Sequence, residues 1–229
     1  MALYVIGDTH LSFYNNKPMD IFGDRWKNHP QKLIDGFKCV SDEDTVVICG
    51  DLSWAMNLKE AEQDFRFIDE LPGQKIILKG NHDYWWTTAN KAYTFFKEKN
   101  FTTIRILNNN CYTYGEYSLC GTRGWFFEEE TGGEHDAKIM RREIMRLEAS
   151  LSQAPTEKRL VFLHYPPIYL DYRCNEIIEL LKKYDVMTCC YGHIHGKSCR
   201  AAYNGQYNGT EYLLVSADHL NFAPVKLLD

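Results

Sequence analysis

The sequence has no uninterrupted apolar run near the ~20 residues that a membrane-spanning helix needs, so a bilayer-crossing protein of that kind is excluded. It holds eight cysteines but no Cys-x-x-Cys pair, so the spacing of a cysteine zinc site is absent. Basic charge is not in excess: 26 Lys and Arg stand against 31 Asp and Glu, a formal net charge of -5. That balance gives no electrostatic reason to expect nucleic acid or an anionic membrane surface as a partner. No Ser or Cys nucleophile motif, internal repeat, low-complexity tract or linker is found. Only Met1 precedes the first apolar run, so no signal peptide is expected. Together with cysteines lying in strand-like runs as small hydrophobes, this predicts a cytoplasmic protein with reduced thiols.

What is present suits one substantial domain over residues 1–229, with 45% hydrophobic and 25% charged residues. Apolar runs with strand character alternate with helical periodicity up to residue 98. Strands are predicted at 2–6, 45–49 and 75–78, and helices from Pro30, at 58–71 and at 88–98. That rhythm predicts βαβ units and a largely parallel core. Short strands follow at 103–107, 111–114 and 117–120, then a glycine-rich loop at 121–133 and a charged helix at 137–151. A strand ending at His164, a helix at 175–184 and a strand over 186–191 come next. The segments 197–202, 211–216 and 225–228 read as closing antiparallel strands. The segment 11–28 reads as a long loop carrying Phe13, Met19, Phe22 and Trp26, either a lid or a packed surface loop.

Five of the apolar runs stop at polar residues, most of them through a glycine. The sequence there reads Gly7-Asp8-Thr9-His10, Gly50-Asp51, Gly80-Asn81-His82-Asp83, Leu163-His164 and Gly192-His193-Ile194-His195. Five of the eight histidines lie in these segments. In open α/β sheets, sites form at the carboxyl ends of strands. Carboxylates, imidazoles and one carboxamide suit borderline divalent ions such as Mn²⁺, Fe²⁺, Co²⁺ or Zn²⁺. Asp8, His10, Asp51, Asn81, His164, His193 and His195 are too many ligands for one ion and enough for two. Any single motif of this set is compatible with a capping or turn role; five in order are not a coincidence of turns.

In order and spacing these segments resemble the five motifs of the calcineurin-like metallophosphoesterase superfamily, from Gly7 to Gly196. The resemblance implies a four-layer αββα sandwich, two mixed β-sheets flanked by helices. It implies that Asp8, His10 and His195 bind one metal, that Asn81, His164 and His193 bind the other, and that Asp51 bridges them. His82 is then a catalytic group near the leaving oxygen, with Asp83 orienting it. The implied reaction is hydrolysis of a phosphomonoester or phosphodiester by in-line attack of a hydroxide shared by two divalent ions, Mn²⁺ first among the candidates. The superfamily also contains nucleases and non-catalytic scaffolds. The acidic balance argues against the first, and the full set of ligands with His82 argues against the second.

Arg123, in Gly121-Thr122-Arg123-Gly124-Trp125, reads either as a clamp on substrate phosphate or as an exposed ion pair. Lys79 stands where protein phosphatases of the superfamily carry an arginine, and its point charge does not reproduce the guanidinium fork. Aromatics follow nearly every motif: Trp54, Tyr84-Trp85-Trp86, Trp125-Phe126-Phe127 and Tyr165. Either they pack the rim, or Trp85 and Trp125 form a wall that stacks on a nucleotide-like group of a small phosphoester substrate. His29, His135 and His219 fall outside the motifs, the last beside Asp218. The sequence leaves oligomeric state and the monoester or diester preference open.

Overall fold

A computed structural model describes residues 1–15, 17–125 and 133–229. Its first sheet takes β1 (Leu3–Ile6), β2 (Thr45–Ile48), β3 (Gln74–Ile77) and β4 (Ile104–Ile106), all mutually parallel. Helices α1 (His29–Gly36), α2 (Glu62–Glu70) and α3 (Ala89–Lys99) connect these strands. The second sheet begins with the hairpin of β5 (Cys111–Tyr114) and β6 (Tyr117–Thr122). After α4 (Glu134–Ser152), β7 (Lys158–Leu163) pairs parallel with β6. A small hairpin of β8 (Ile168–Tyr169) and β9 (Tyr172–Arg173) and helix α5 (Asn175–Lys183) lead to β10 (Val186–Tyr191). The chain closes with β11 (Gly205–Tyr207), β12 (Thr210–Leu214) and β13 (Val225–Leu228). Spatial order is β13-β1-β2-β3-β4 in one sheet and β11-β12-β10-β7-β6-β5 in the other.

The expected αββα layering follows from burial on both faces of the central strands, whose successive side chains point to opposite sides. Leu3 and Val5 of β1, Val47 of β2, and Leu160 and Phe162 of β7 share one apolar cluster between the sheets. Their alternates Tyr4, Ile6, Val46 and Ile48 pack with Phe37, Phe65 and Phe96 under the first helical layer. On the other side Val161, Leu163, Cys189 and Tyr191 pack with Leu147, Leu151, Ile178 and Leu181 of α4 and α5. Local signals agree with these layers. Thr88 caps α3 by accepting the Lys91 amide at 3.3 Å, and Asn100 ends that helix at φ 58°. The fully buried Lys75 donates to the carbonyls of Asp69, Leu71 and Gly73 at 3.3, 2.5 and 2.6 Å. Its ammonium thereby satisfies the C-terminal end of α2.

The tail departs from the sequence reading. The segment expected as a strand at 197–202 is a 3₁₀ helix, Gly196–Ala201, and β12 runs parallel to β10 rather than antiparallel. Antiparallel closure is made by β11 against β12 and by β13 against β1. Helix α2 starts later than expected because 58–61 forms a turn. All eight cysteines are free thiols. Among the described residues, no helix is long and apolar enough to cross a membrane.

Candidate metal centre

The carboxyl edges of the two sheets meet where Gly7 bridges Ser216 and its amide donates to Val215 O at 2.7 Å. Beyond that seam the chain turns inward four times. Asp8, His10, Asp51 and His193 have φ of 58°, 46°, 50° and 72°, the left-handed region that side chains rarely adopt. The Asp8 amide donates to Gly50 O and that of His10 to Asp51 O, each at 2.9 Å, which pins the first two turns together. Two glycines are there because the carboxylates need their space. A Cβ on Gly80 would overlap Oδ1 of Asp51, and one on Gly192 would overlap Oδ2 of Asp8.

All seven residues expected as ligands converge. His10 Nε2 lies 3.2 Å from His195 Nε2, and His195 Nε2 lies 3.4 Å from Asp8 Oδ1. Opposite them, Asn81 Oδ1 sits 2.6 Å from His164 Nε2 and 3.0 Å from His193 Nδ1. Asp51 stands between the halves, its Oδ2 3.7 Å from His10 Nε2 and 3.5 Å from His164 Nε2. The His164 Nδ1–H is committed to Cys49 O at 3.0 Å, so its Nε2 presents a lone pair toward the Asn81 oxygen. Acceptor then faces acceptor, an arrangement that a shared cation resolves. These donors fit divalent ions: Asp8, His10 and His195 form one candidate ligand group, and Asp8, Asp51 and His164 another.

The electrostatics lead to the same fit. Burial, aided by neighbouring imidazoles, holds His10 and His164 below the ordinary imidazole value and brings His193 to about 3. All three rings are therefore neutral, the form that ligates. Burial pushes the Asp51 carboxyl well up, and the carboxylates of Asp83 and Asp8 push it further. Burial also acts to raise Asp8 and to lower His195, but their mutual attraction prevails: Asp8 is lowered, and His195, held also by Asp218, rises to about 10. A proton on His195 thus supplies, in the protein alone, positive charge that a cation would bring.

Asp218 is a participant that the sequence reading passed over. It is buried, and its carboxylate accepts from His195 Nδ1 at 2.9 Å and from the Gly196 amide at 2.8 Å. That contact directs His195 Nε2 toward Asp8 and His10. Only its position beside His219 hinted at this.

The other candidates part company. His82 lies at the rim with its amide on Asp51 Oδ1 at 2.7 Å, its Nδ1 3.2 Å from Tyr84 Oη and its ring 4.1 Å from that of Trp54. Asp83 does not orient that imidazole. Its buried carboxylate accepts from the amides of Leu52, Ser53 and Gly80 and from Trp85 Nε1, at 2.7 to 3.1 Å. It binds the Asp51 and Asn81 turns together. Trp85 is no substrate wall: it is fully buried in the first core, 4.8 Å from the Phe65 ring. Trp125 packs on Tyr165 at 5.3 Å with the Arg123 guanidinium 4.9 Å from its own ring. The Arg123 side chain turns to Glu143 at 3.6 Å, while its carbonyl accepts the amides of His164 and Tyr165 at 3.0 Å. Phe126 and Phe127 lie outside the described residues.

An aromatic cavity does exist, on different residues. About 280 Å³ is enclosed by His10, Met19, Trp26, Trp54, His82 and His195. Trp54 stacks on His10 at 5.1 Å and Trp26 meets His195 edge-on at 5.6 Å. The segment 11–28 therefore supplies one side of the centre, through its 3₁₀ turns Met19–Phe22 and Asp24–Trp26.

The family model of calcineurin-like phosphoesterases matches residues 1–197. No curated protein matches the sequence significantly. Among solved structures, a phosphopantetheinyl hydrolase from Mycobacterium tuberculosis superposes with TM-score 0.60 at 14% identity, over 99% of this chain and 95% of that one. A protein of unknown function, AQ665 from Aquifex aeolicus, gives 0.52 at 18% identity, over 98% and 95%. These likenesses show the fold. The chain belongs to the calcineurin-like phosphoesterase family, whose members are usually phosphoester hydrolases and typically bind two divalent metals.

Proposed function

We propose that this member of the calcineurin-like family hydrolyses a phosphomonoester or phosphodiester with two divalent ions, Mn²⁺ in the first instance. The observation that carries the reading is the place of Asp51, whose Oδ2 lies 3.5 Å from His164 Nε2 and 3.7 Å from His10 Nε2. Asp8, His10 and His195 would hold one ion, Asn81, His164 and His193 the other, and Asp51 would belong to both. Bound ions of this kind supply Lewis-acid stabilisation of phosphoryl charge and water activated at neutral pH.

The remaining work belongs to the chain. Asp8 and Asp51 bring negative charge to the cations, and Asn81 adds an oxygen without adding charge. With Nδ1 of His82 beside the Tyr84 hydroxyl, its other nitrogen is the one that would protonate the departing oxygen. The aromatic cavity flanks His82, so it would receive the esterified group. Its walls suit a flat or apolar moiety, such as the base of a nucleotide.

Elemental analysis and turnover of p-nitrophenyl phosphate and bis-p-nitrophenyl phosphate test this together. The wild type loaded with Mn²⁺ should carry two ions per chain and turn over at least one ester. Asp51→Asn should lose metal from both halves and fall to background. A variant that keeps both ions and full turnover would remove the shared-carboxylate role.

A further inference from the structure

A second cavity lies on the opposite flank of the centre, and none of the reactions above uses it. Its volume is about 310 Å³, and Lys79, Thr88, Thr122, Arg123, Glu143 and Arg146 are among its walls; none of the seven donor residues is. Three cations there face one carboxylate. The buried Glu143 accepts from Thr122 Oγ1 at 2.8 Å and pairs with Arg146 at 2.5 Å, with Arg123 farther off at 3.6 Å. Two positive charges are left over, on a chain whose net charge is -5.

Those charges lack close partners among the described residues. Among the described residues Lys79 Nζ has neither a hydrogen bond nor an ion pair, and Arg123 Nε is buried with no acceptor. A buried N–H without an acceptor is costly, so the arrangement implies an acceptor from outside. The first turn of the eleven-residue α3, capped by Thr88, forms another wall, and its free amides favour negative charge as well. A neutral acceptor could take the Arg123 Nε–H but would leave the two charges uncompensated, and a cation would add to them.

The cavity is joined to the centre by the chain. Lys79 is two residues from Asn81, and the Arg123 carbonyl holds the His164 amide at 3.0 Å. It therefore adjoins the Asn81–His164 half, whereas the aromatic cavity adjoins the His10–His195 half.

We propose that this cavity binds a second oxyanion of the substrate, a phosphate or carboxylate carried at a distance from the phosphoester that is cleaved. The substrate is then a doubly anionic ester. This deepens the hydrolase reading and rests on it. Lys79 neutralises the remote group, Arg123 Nε donates to it, and Arg146, by holding Glu143, leaves the Arg123 charge free for it.

The test compares Mn²⁺-loaded wild type, Lys79→Met and Arg146→Met on alkyl monophosphates and on α,ω-alkanediol bisphosphates of matched chain length. The wild type should favour the bisphosphate by about tenfold or more in kcat/KM at one preferred length, the value of a charge-assisted hydrogen bond. Each substitution should bring that ratio toward one, and because it is a ratio, a general loss of activity cancels. Sulfate gives a readout free of turnover: it should raise the melting temperature of the wild type more than that of either variant. No preference at any length, a preference that survives both substitutions, or equal sulfate stabilisation in all three proteins would overturn the proposal. A protein silent on every ester, but whose sulfate response still falls with Lys79 and Arg146, would sink the hydrolase reading and leave the anion cavity standing.

Discussion

Asp218→Asn isolates one contact with almost no change of shape. The carboxylate makes two bonds, to His195 Nδ1 at 2.9 Å and to the Gly196 amide at 2.8 Å. An asparagine oxygen can keep the Gly196 bond, but the amide nitrogen then faces His195 Nδ1 and needs a lone pair there. The imidazole answers by moving its proton to Nε2, the nitrogen that lies 3.4 Å from Asp8 and 3.2 Å from His10. A ring protonated at that atom cannot ligate. Loss of such an outer partner costs about 10–100-fold in metal affinity, or about 1.4–2.7 kcal/mol. Competition with a chelator, followed by elemental analysis, should therefore show one ion weakened by that factor and the ion at Asn81, His164 and His193 retained. Asp218→Glu, which keeps an acceptor, should recover part of the loss. An asparagine variant that binds both ions as tightly as the wild type would refute the reasoning.

Three further outcomes follow from the same geometry. His82→Ala should keep both metals and slow alkyl esters by about 10²–10⁴-fold, with p-nitrophenyl esters least affected; an equal loss on both would remove the proton-donor role. Trp54→Ala, which opens the cavity beside His82, should weaken aromatic esters by about tenfold relative to small alkyl esters, as read from the ratio of kcat/KM values. Lys75 is held at about 8 by burial, below its ordinary 10.5, so between those values the unfolded chain binds a proton that the folded chain has released. Stability conferred by Lys75 therefore rises with pH, by about 2 kcal/mol from pH 7 to 9.5, and urea melts of wild type and Lys75→Met should diverge by that amount; parallel curves would contradict it.

The strand ends were legible because an apolar run that stops at Gly7, Gly50 or Gly192 states where a strand ends. The layers were expected from the family resemblance, and the structure agrees with them, since Leu3 and Val5 alternate with Tyr4 and Ile6 between two cores. What adjacency in the chain does not encode is the side to which a turn throws its next side chain. Trp85 follows His82 by three positions, yet Asp83 accepts from its Nε1 at 2.8 Å and draws it into the core. Trp54 and Trp26 come from separate loops and meet the centre instead. Asp218 reaches His195 across 23 positions, and Glu143 reaches Thr122 across 21; neither pairing leaves a mark on local sequence. The tail misled because 197–202 is short, so that two turns of 3₁₀ helix and a strand share its polarity pattern.

Four side chains at the centre sit on left-handed backbone, each at a cost of about 1–3 kcal/mol. Metal ligation alone is an insufficient reason for that conformation to persist, because the turns are already closed by bonds that involve no cation. Asp83 ties the amides of Gly80, Leu52 and Ser53 to one buried carboxylate, and Asp8 accepts the His193 amide at 3.0 Å. Beneath them, β1, β2, β7 and β10 are buried on both faces, so no turn can relax without disturbing a core. The strain is thus held by the scaffold and the donors are placed before any cation arrives, which is the condition for electrostatic preorganisation. Asp83 touches no donor side chain by hydrogen bond, and it is nonetheless the residue on which the mutual position of Asp51 and Asn81 depends.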